Sequence, residues 1–176
     1  LYDLARTARQ DPAALALLRR DPPDPIDWRK LPETSPFRQE FAAFLQEFGH
    51  RAVYEVELAN PRWSEDPSYL LEQIRLILAR GGVDDDPRAS ARRRRLKAER
   101  EIAARTRALR PVIRRLAERA RRGYRLREGS KSALVAFLAP TRRLLLEVGR
   151  RLVVAGILER VDDVFFLSPI DVDLLL

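Results

Sequence analysis

The sequence predicts an all-α fold: an irregular multi-helix domain with a long arginine-rich helix and short non-helical connections. Two observations predict it. Apolar residues recur at intervals of three and four along most of the chain. Prolines and glycines punctuate these runs where helices start and stop, leaving at most trivial strand content. The 176 residues, 45% hydrophobic, suffice for one domain with a real core. The expected organisation is a single helical domain or fragment over 1–176. It comprises short helices and a proline-rich connection at 1–35, a helical pair with a polar connection at 36–81, and a basic helix with C-terminal helices at 88–176.

Leu1–Arg20 carries two short helical patterns divided at Asp11-Pro12, where Asp caps and Pro takes the first helical position. Asp21–Ser35 is a proline-rich connection pinned by Trp28. Ser35-Pro36 opens a stronger helix with Phe37, Phe41, Phe44, Leu45 and Phe48 along one face, and Gly49 stops it. That stripe reads as core, with a ligand-facing aromatic wall as the lesser reading. After the non-helical stretch 50–65, Asp66-Pro67 begins a helix with Leu70, Leu71, Ile74, Ile77 and Leu78 inward, ended by Gly81-Gly82.

Pro87 marks the next helix entry. From Arg88 to Arg127 there are seventeen Lys+Arg and three Glu, a local balance of +14 against +8 for the whole chain. Leu96, Ile102, Ala103, Leu109, Ile113 and Leu116 keep helical spacing within it. The segment is one long basic amphipathic helix or two helices meeting at Pro111. Gly123 and Gly129 are expected to loosen Tyr124–Glu128. Helix signals return at Lys131–Ala139 and, after Pro140, from Thr141 to Ala155, with Leu144, Leu145, Val148 and Leu152 as an inner stripe. Gly156 terminates it. Val164–Leu167 is a short apolar run, extended or buried, and Ser168-Pro169-Ile170-Asp171 has the spacing of a capping box opening a terminal helix.

Composition excludes several chemistries. The absence of cysteine removes disulfides, thiolate nucleophiles and cysteine zinc sites. One histidine, His50, rules out a multi-histidine metal centre within one copy. Asp84-Asp85-Asp86 reads as a solvated turn rather than a magnesium site, so no metal ligand is assigned. The glycines form neither a phosphate loop nor a dinucleotide fingerprint, and no Gly-x-Ser-x-Gly elbow is present. No catalytic residue is assigned. No apolar run approaches the roughly 18–20 residues of a membrane span, and Asp3, Arg6 and Arg9 interrupt any leader, so no membrane partner and a cytoplasmic location are expected. Leucine at the first position and three leucines at the end fit a segment of a longer protein.

All but three of the 34 positive residues are arginine. They favour anionic partners, yet a solvated helical face explains most of them without a ligand. Nucleic acid is the weaker reading, because the basic helix lacks interleaved aromatics and base-reading amides.

The stretch 47–66 gathers the polar and aromatic candidates. His50 and Arg51 follow a helix C-terminus, where positive groups meet the helix dipole. Glu55 and Glu57 would pair with Arg51 and Arg62 as an ion network under Trp63. In the functional reading, the same arginines bind an anionic substituent, the glutamates accept from hydroxyls or an amine, and Trp63 gives a flat contact. Arg127 and Glu128 form a second set, for structural pairing or contact with a neighbouring domain.

Two blocks carry a family resemblance. The first is Phe41-x-x-Phe44-Leu45-x-x-Phe48-Gly49-His50-Arg51, Glu55-x-Glu57-Leu58, and Pro61-Arg62-Trp63-x-Glu65-Asp66-Pro67 with Leu70-Leu71. The second is Tyr124-Arg125-x-Arg127-Glu128, Arg142-x-Leu144-Leu145-Leu146-Glu147-x-Gly149-Arg150-Arg151-Leu152 and Asp163–Leu167. Together they resemble phosphoenolpyruvate synthase-like phosphotransferases, nearest the rifampin phosphotransferase branch. The resemblance implies a helical substrate-binding or interdomain region between ATP-grasp and swivelling phosphohistidine domains of the same polypeptide. It further implies a small-molecule acceptor, with ATP and magnesium used by the full enzyme and no cofactor in this segment. His50 lies in the wrong block to be the phosphoryl carrier, and the chain alone is not expected to be catalytic. Gly129 stands where the family often carries an acid, and Pro140 interrupts a long helix. The alternative is a stand-alone helical scaffold or a module binding nucleic acid or acidic proteins.

Overall fold

The structure, a computed structural model, describes residues 1–20, 23–81, 87–105, 109–168, 170, 171 and 174. Those residues are all-helical: α1 (Tyr2–Gln10), α2 (Pro12–Leu18), a 3-10 turn at Asp27–Lys30, α3 (Pro36–Phe48), α4 (Ser68–Ala79), α5 (Pro87–Arg105), α6 (Arg110–Val154) and a 3-10 segment at Val161–Phe166. None of these helices is long and apolar enough to cross a membrane. The chain gathers into two compact units, Leu1–Ala43 with Ser68–Ser130, and Phe44–Pro67 with Lys131–Leu176.

In the first unit, α1 packs on α2 and α4. Leu4, Ala5, Ala8, Leu17, Leu18, Leu70, Leu71 and Ile74 are buried. Asp11 is the joint of this unit. Its Oδ1 accepts the amides of Ala13 and Ala14, capping α2. Its Oδ2 accepts from the Ser35 hydroxyl and the Phe37 amide at the start of α3. One buried carboxylate thus fixes two helix N-termini. Burial alone would raise its pKa, but the bonds from Ser35 and the three amides hold it below the usual carboxylate range. Trp28 anchors the proline-rich connection edge-on to Phe41, 5.1 Å between ring centroids, and Phe41 stacks on Phe37.

The basic region forms two helices. Pro111 sits in the first turn of α6, where its missing N–H has no intrahelical partner to lose. Leu96, Ile102, Leu109 and Leu116, which keep helical spacing in the sequence, are exposed. Periodic spacing marks a face; it does not supply the surface that would cover it.

Three further expectations are corrected. Gly123 and Gly129 do not loosen the chain, and Pro140 does not divide it, because α6 runs unbroken for 45 residues. Both glycines stand in open space on the helix surface, where they cost about 1 kcal/mol each relative to alanine without breaking the ladder. Beside Pro140, the Thr141 hydroxyl donates to the Phe137 carbonyl, 3.3 Å away, in the turn that the proline disturbs. Leu144 is 69% exposed rather than inward; the buried face of this half of α6 carries Val135, Arg142, Gly149 and Leu152. The phenylalanine stripe also divides: Phe37 and Phe41 serve the first unit, and Phe44 and Phe48 serve the second.

In the second unit, two glycines permit close backbone approach. A Cβ on Gly49 would lie 2.2 Å from the Leu45 carbonyl oxygen, and one on Gly149 would lie 2.4 Å from that of Val161. The run Val164–Leu167 is neither wholly extended nor wholly buried: it falls mostly in the 3-10 segment, with Val164 inside and Phe166 outside. The Ser168–Asp171 capping pair forms in both directions. Pro169 and the acids Asp84-Asp85-Asp86 lie outside the described residues.

Candidate functional site

The connection at 50–67 contains almost no regular structure, yet its backbone is tied down. The Trp63 amide donates to the Arg51 carbonyl at 2.8 Å, and the Ser64 amide to that of Gly49 at 3.0 Å. Tyr54 adopts a left-handed φ of 54°, which turns the chain so that the Glu57 amide reaches the Tyr54 carbonyl.

Side chains complete the lattice. Glu55 sits between two cations, with Arg51 Nε 2.6 Å from Oε1 and Lys131 Nζ 2.6 Å from Oε2. Burial pushes its pKa up, but Lys131 and Arg51 more than compensate and hold it below the usual range. Arg62, only 1% exposed, donates from Nη1 to the Glu55 carbonyl at 2.9 Å. Its Nε and Nη2 have no hydrogen-bond partner among the described residues. Burial first, and the positive charge of Arg142 second, lower its pKa. Trp63 stacks on Phe44 with centroids 6.3 Å apart. His50 is half-buried, and its Nε2 makes no hydrogen bond among the described residues.

The organising residue was not a sequence candidate. Arg142, 5% exposed on α6, donates from Nη1 to the carbonyls of Leu58 (2.6 Å) and Ala59 (3.1 Å), and from Nε to Glu65 at 2.9 Å. Its guanidinium also lies 5.0 Å over the Phe165 ring. The signal that could have found it is an arginine on an inward stripe, seven residues from both Val135 and Gly149.

Of the eight predicted site residues, His50, Arg51, Glu55, Glu57, Arg62 and Trp63 belong to the second unit. Arg127 and Glu128 belong to the first, where they touch each other at 3.4 Å on the surface of α6. Glu57 lines a cleft. This cleft, about 470 Å³, is walled by Val56, Leu58, Leu145, Val164, Phe165 and Leu167. One Glu57 oxygen accepts the Ala59 amide at 3.1 Å, which orients the carboxylate. Such a site can seat an apolar body and accept a hydrogen bond at one edge. Among the described residues, no group of three or more His, Asp or Glu gathers as a metal site.

Residues 1–128 match the family described as "Rifampicin phosphotransferase fourth domain". The chain is 32% identical to a rifampicin phosphotransferase of a Streptomyces species, over 96% of this chain and 21% of that protein. It is 31% identical to an uncharacterized protein of Mycobacterium tuberculosis, over 98% of this chain and 18% of the relative. A shorter match, 40% identical over 44% of this chain and 9% of the relative, is to the prodigiosin synthesizing transferase PigC of Serratia marcescens. The chain therefore spans about a fifth or less of the length of these curated relatives.

Proposed function

Since the chain belongs to the rifampicin phosphotransferase fourth-domain family, we propose that it is the helical acceptor-binding region of a larger ATP-dependent phosphotransferase. In this reading it is not catalytic alone. ATP, magnesium and the carrier histidine reside in ATP-grasp and swivelling phosphohistidine domains of the same cytoplasmic polypeptide, and His50 takes no part in transfer. No step through ATP or magnesium is assigned to the residues of this chain.

The observation that carries the proposal is the cleft beside the connection. Six apolar residues and one carboxylate suit an acceptor with a broad apolar body and a hydroxyl at its edge. Glu57 accepts from that hydroxyl or orients it. Arg142 holds the wall, since the carbonyls of Leu58 and Ala59 and the Phe165 ring all rest on its guanidinium. Arg51, Glu55, Arg62 and Trp63 then act at one remove, by keeping Val56–Leu58 in place. Positioning of the acceptor, with charge stabilisation from other domains, is the contribution phosphoryl transfer requires of such a region.

A titration of the chain with rifampicin, followed by tryptophan fluorescence, tests this. Saturable binding is expected, weakened about ten-fold or more by Leu145→Trp, which fills the cleft, and less by Glu57→Gln. Saturable binding untouched by both substitutions would move the site elsewhere, and no binding would remove rifamycins as the acceptor. The reading frame supplies a second check: absence of flanking ATP-grasp and swivelling segments would defeat the multidomain reading.

A further inference from the structure

The first turns of α6 carry more arginines than the acids around them pair with. Glu99 is already taken by Arg95 and Arg121, and Glu118 by Arg114. Among the described residues no acid pairs with Arg115, Arg119 or Arg122. These three stand at i, i+4 and i+7, so they form a row along one side of the helix. Val112 and Leu116, 53% and 60% exposed, lie beside that row. Together with Glu118 they shape a shallow depression of about 440 Å³. Leu126, also exposed, extends the strip one turn past the row.

We propose that this face of α6 docks an acidic amphipathic helix of a protein partner, whose apolar residues cover Val112 and Leu116 and whose carboxylates meet the arginine row. Charge complementarity selects the partner. Arginine pairs with carboxylates in fixed geometry, and this surface lacks enough acids of its own. The interleaved aliphatic residues select a protein over a phosphate backbone, which would use the cations and leave Val112 and Leu116 wet. No aromatic residue occurs between Arg88 and Gly123 to stack on bases.

The test uses the whole chain and a fluorescein-labelled synthetic helix with leucines at i, i+4 and i+7 and glutamates along both flanks, read by anisotropy over a salt series. Saturable, salt-sensitive binding is expected. Arg115→Glu with Arg119→Glu should lower affinity about ten-fold or more, while Arg80→Glu with Arg143→Glu, the same change in charge elsewhere, should leave it within about two-fold. Leu116→Ser should weaken binding without altering the salt slope, because it removes apolar contact and no charge. Circular dichroism melting confirms that each variant is folded. The proposal is overturned if Leu116→Ser changes nothing, if both charge-reversed pairs behave alike, or if the peptide does not bind. Tighter binding of duplex DNA or of phosphatidylserine vesicles than of the peptide would also overturn it.

Discussion

The connection at 50–67 and helix α5 both owe their character to charged side chains, but they hold them in opposite ways. In the connection, the buried guanidiniums of Arg62 and Arg142 reach backbone carbonyls, and Glu55 is held by two cations. In α5, Arg92–Arg95 are exposed. The irregular segment is therefore braced from several directions, whereas the regular helix rests mainly on its own hydrogen-bond ladder. Rigidity follows the number of independent partners rather than the regularity of the backbone.

The largest effect expected from breaking this contrast is at Arg142. Arg142→Met leaves two carbonyls and one carboxylate oxygen without the guanidinium that holds them, and should cost about 3 kcal/mol in urea unfolding. Arg142→Lys, with a point charge in place of a fork, should recover only part of that. Gly149→Ala comes next, at about 2 kcal/mol, because its methyl group would press on the Val161 carbonyl and neither backbone can easily give way.

Asp11→Ala should cost about 1–2 kcal/mol through loss of the caps on α2 and α3. Its pH dependence carries a defined sign. The folded carboxyl titrates below its unfolded value, so its stabilisation is complete above an unfolded pKa of about 3.9 and disappears as pH falls through the folded value. Melting temperatures measured from pH 6 down to pH 2 should fall less steeply for the variant than for the parent. The smallest effect belongs to the exposed arginines: Arg115→Met or Arg93→Met should stay within about 0.5 kcal/mol of the parent.

Much of the fold was legible from local chemistry. The Asp11-Pro12 division, the start of α3 at Pro36, its stop at Gly49 and the entry of α6 at Pro111 all rest on cap and proline rules that act over a few residues. The continuity of α6 was not legible, since a long helix tolerates exposed glycines and one proline that would end a short one. Capping of α2 by Asp11 could be foreseen, but its reach to Ser35 and Phe37 could not, because that contact spans more than twenty residues of sequence.

The candidate site was half legible. The charges at 50–66 drew notice through their density, and the structure gives most of them to one another and to the backbone. The cleft is assembled from Val56–Leu58, Leu145 and Val164–Leu167, three separated segments made almost wholly of aliphatic and aromatic residues. No short motif encodes such a wall. Arg142 stood in the second resemblance block but not among the site candidates, because only its place on the buried stripe distinguishes it from the many other arginines.

Hydrogen exchange measured side by side on the peptides covering 50–67 and 87–105 tests the central contrast most directly. The braced connection should exchange more slowly than the helix, with the amides of Trp63 and Ser64 among the best protected in their segment. Faster exchange in the connection than in α5 would contradict the account, and would return its charged residues to a loop whose order must come from something other than the partners described here.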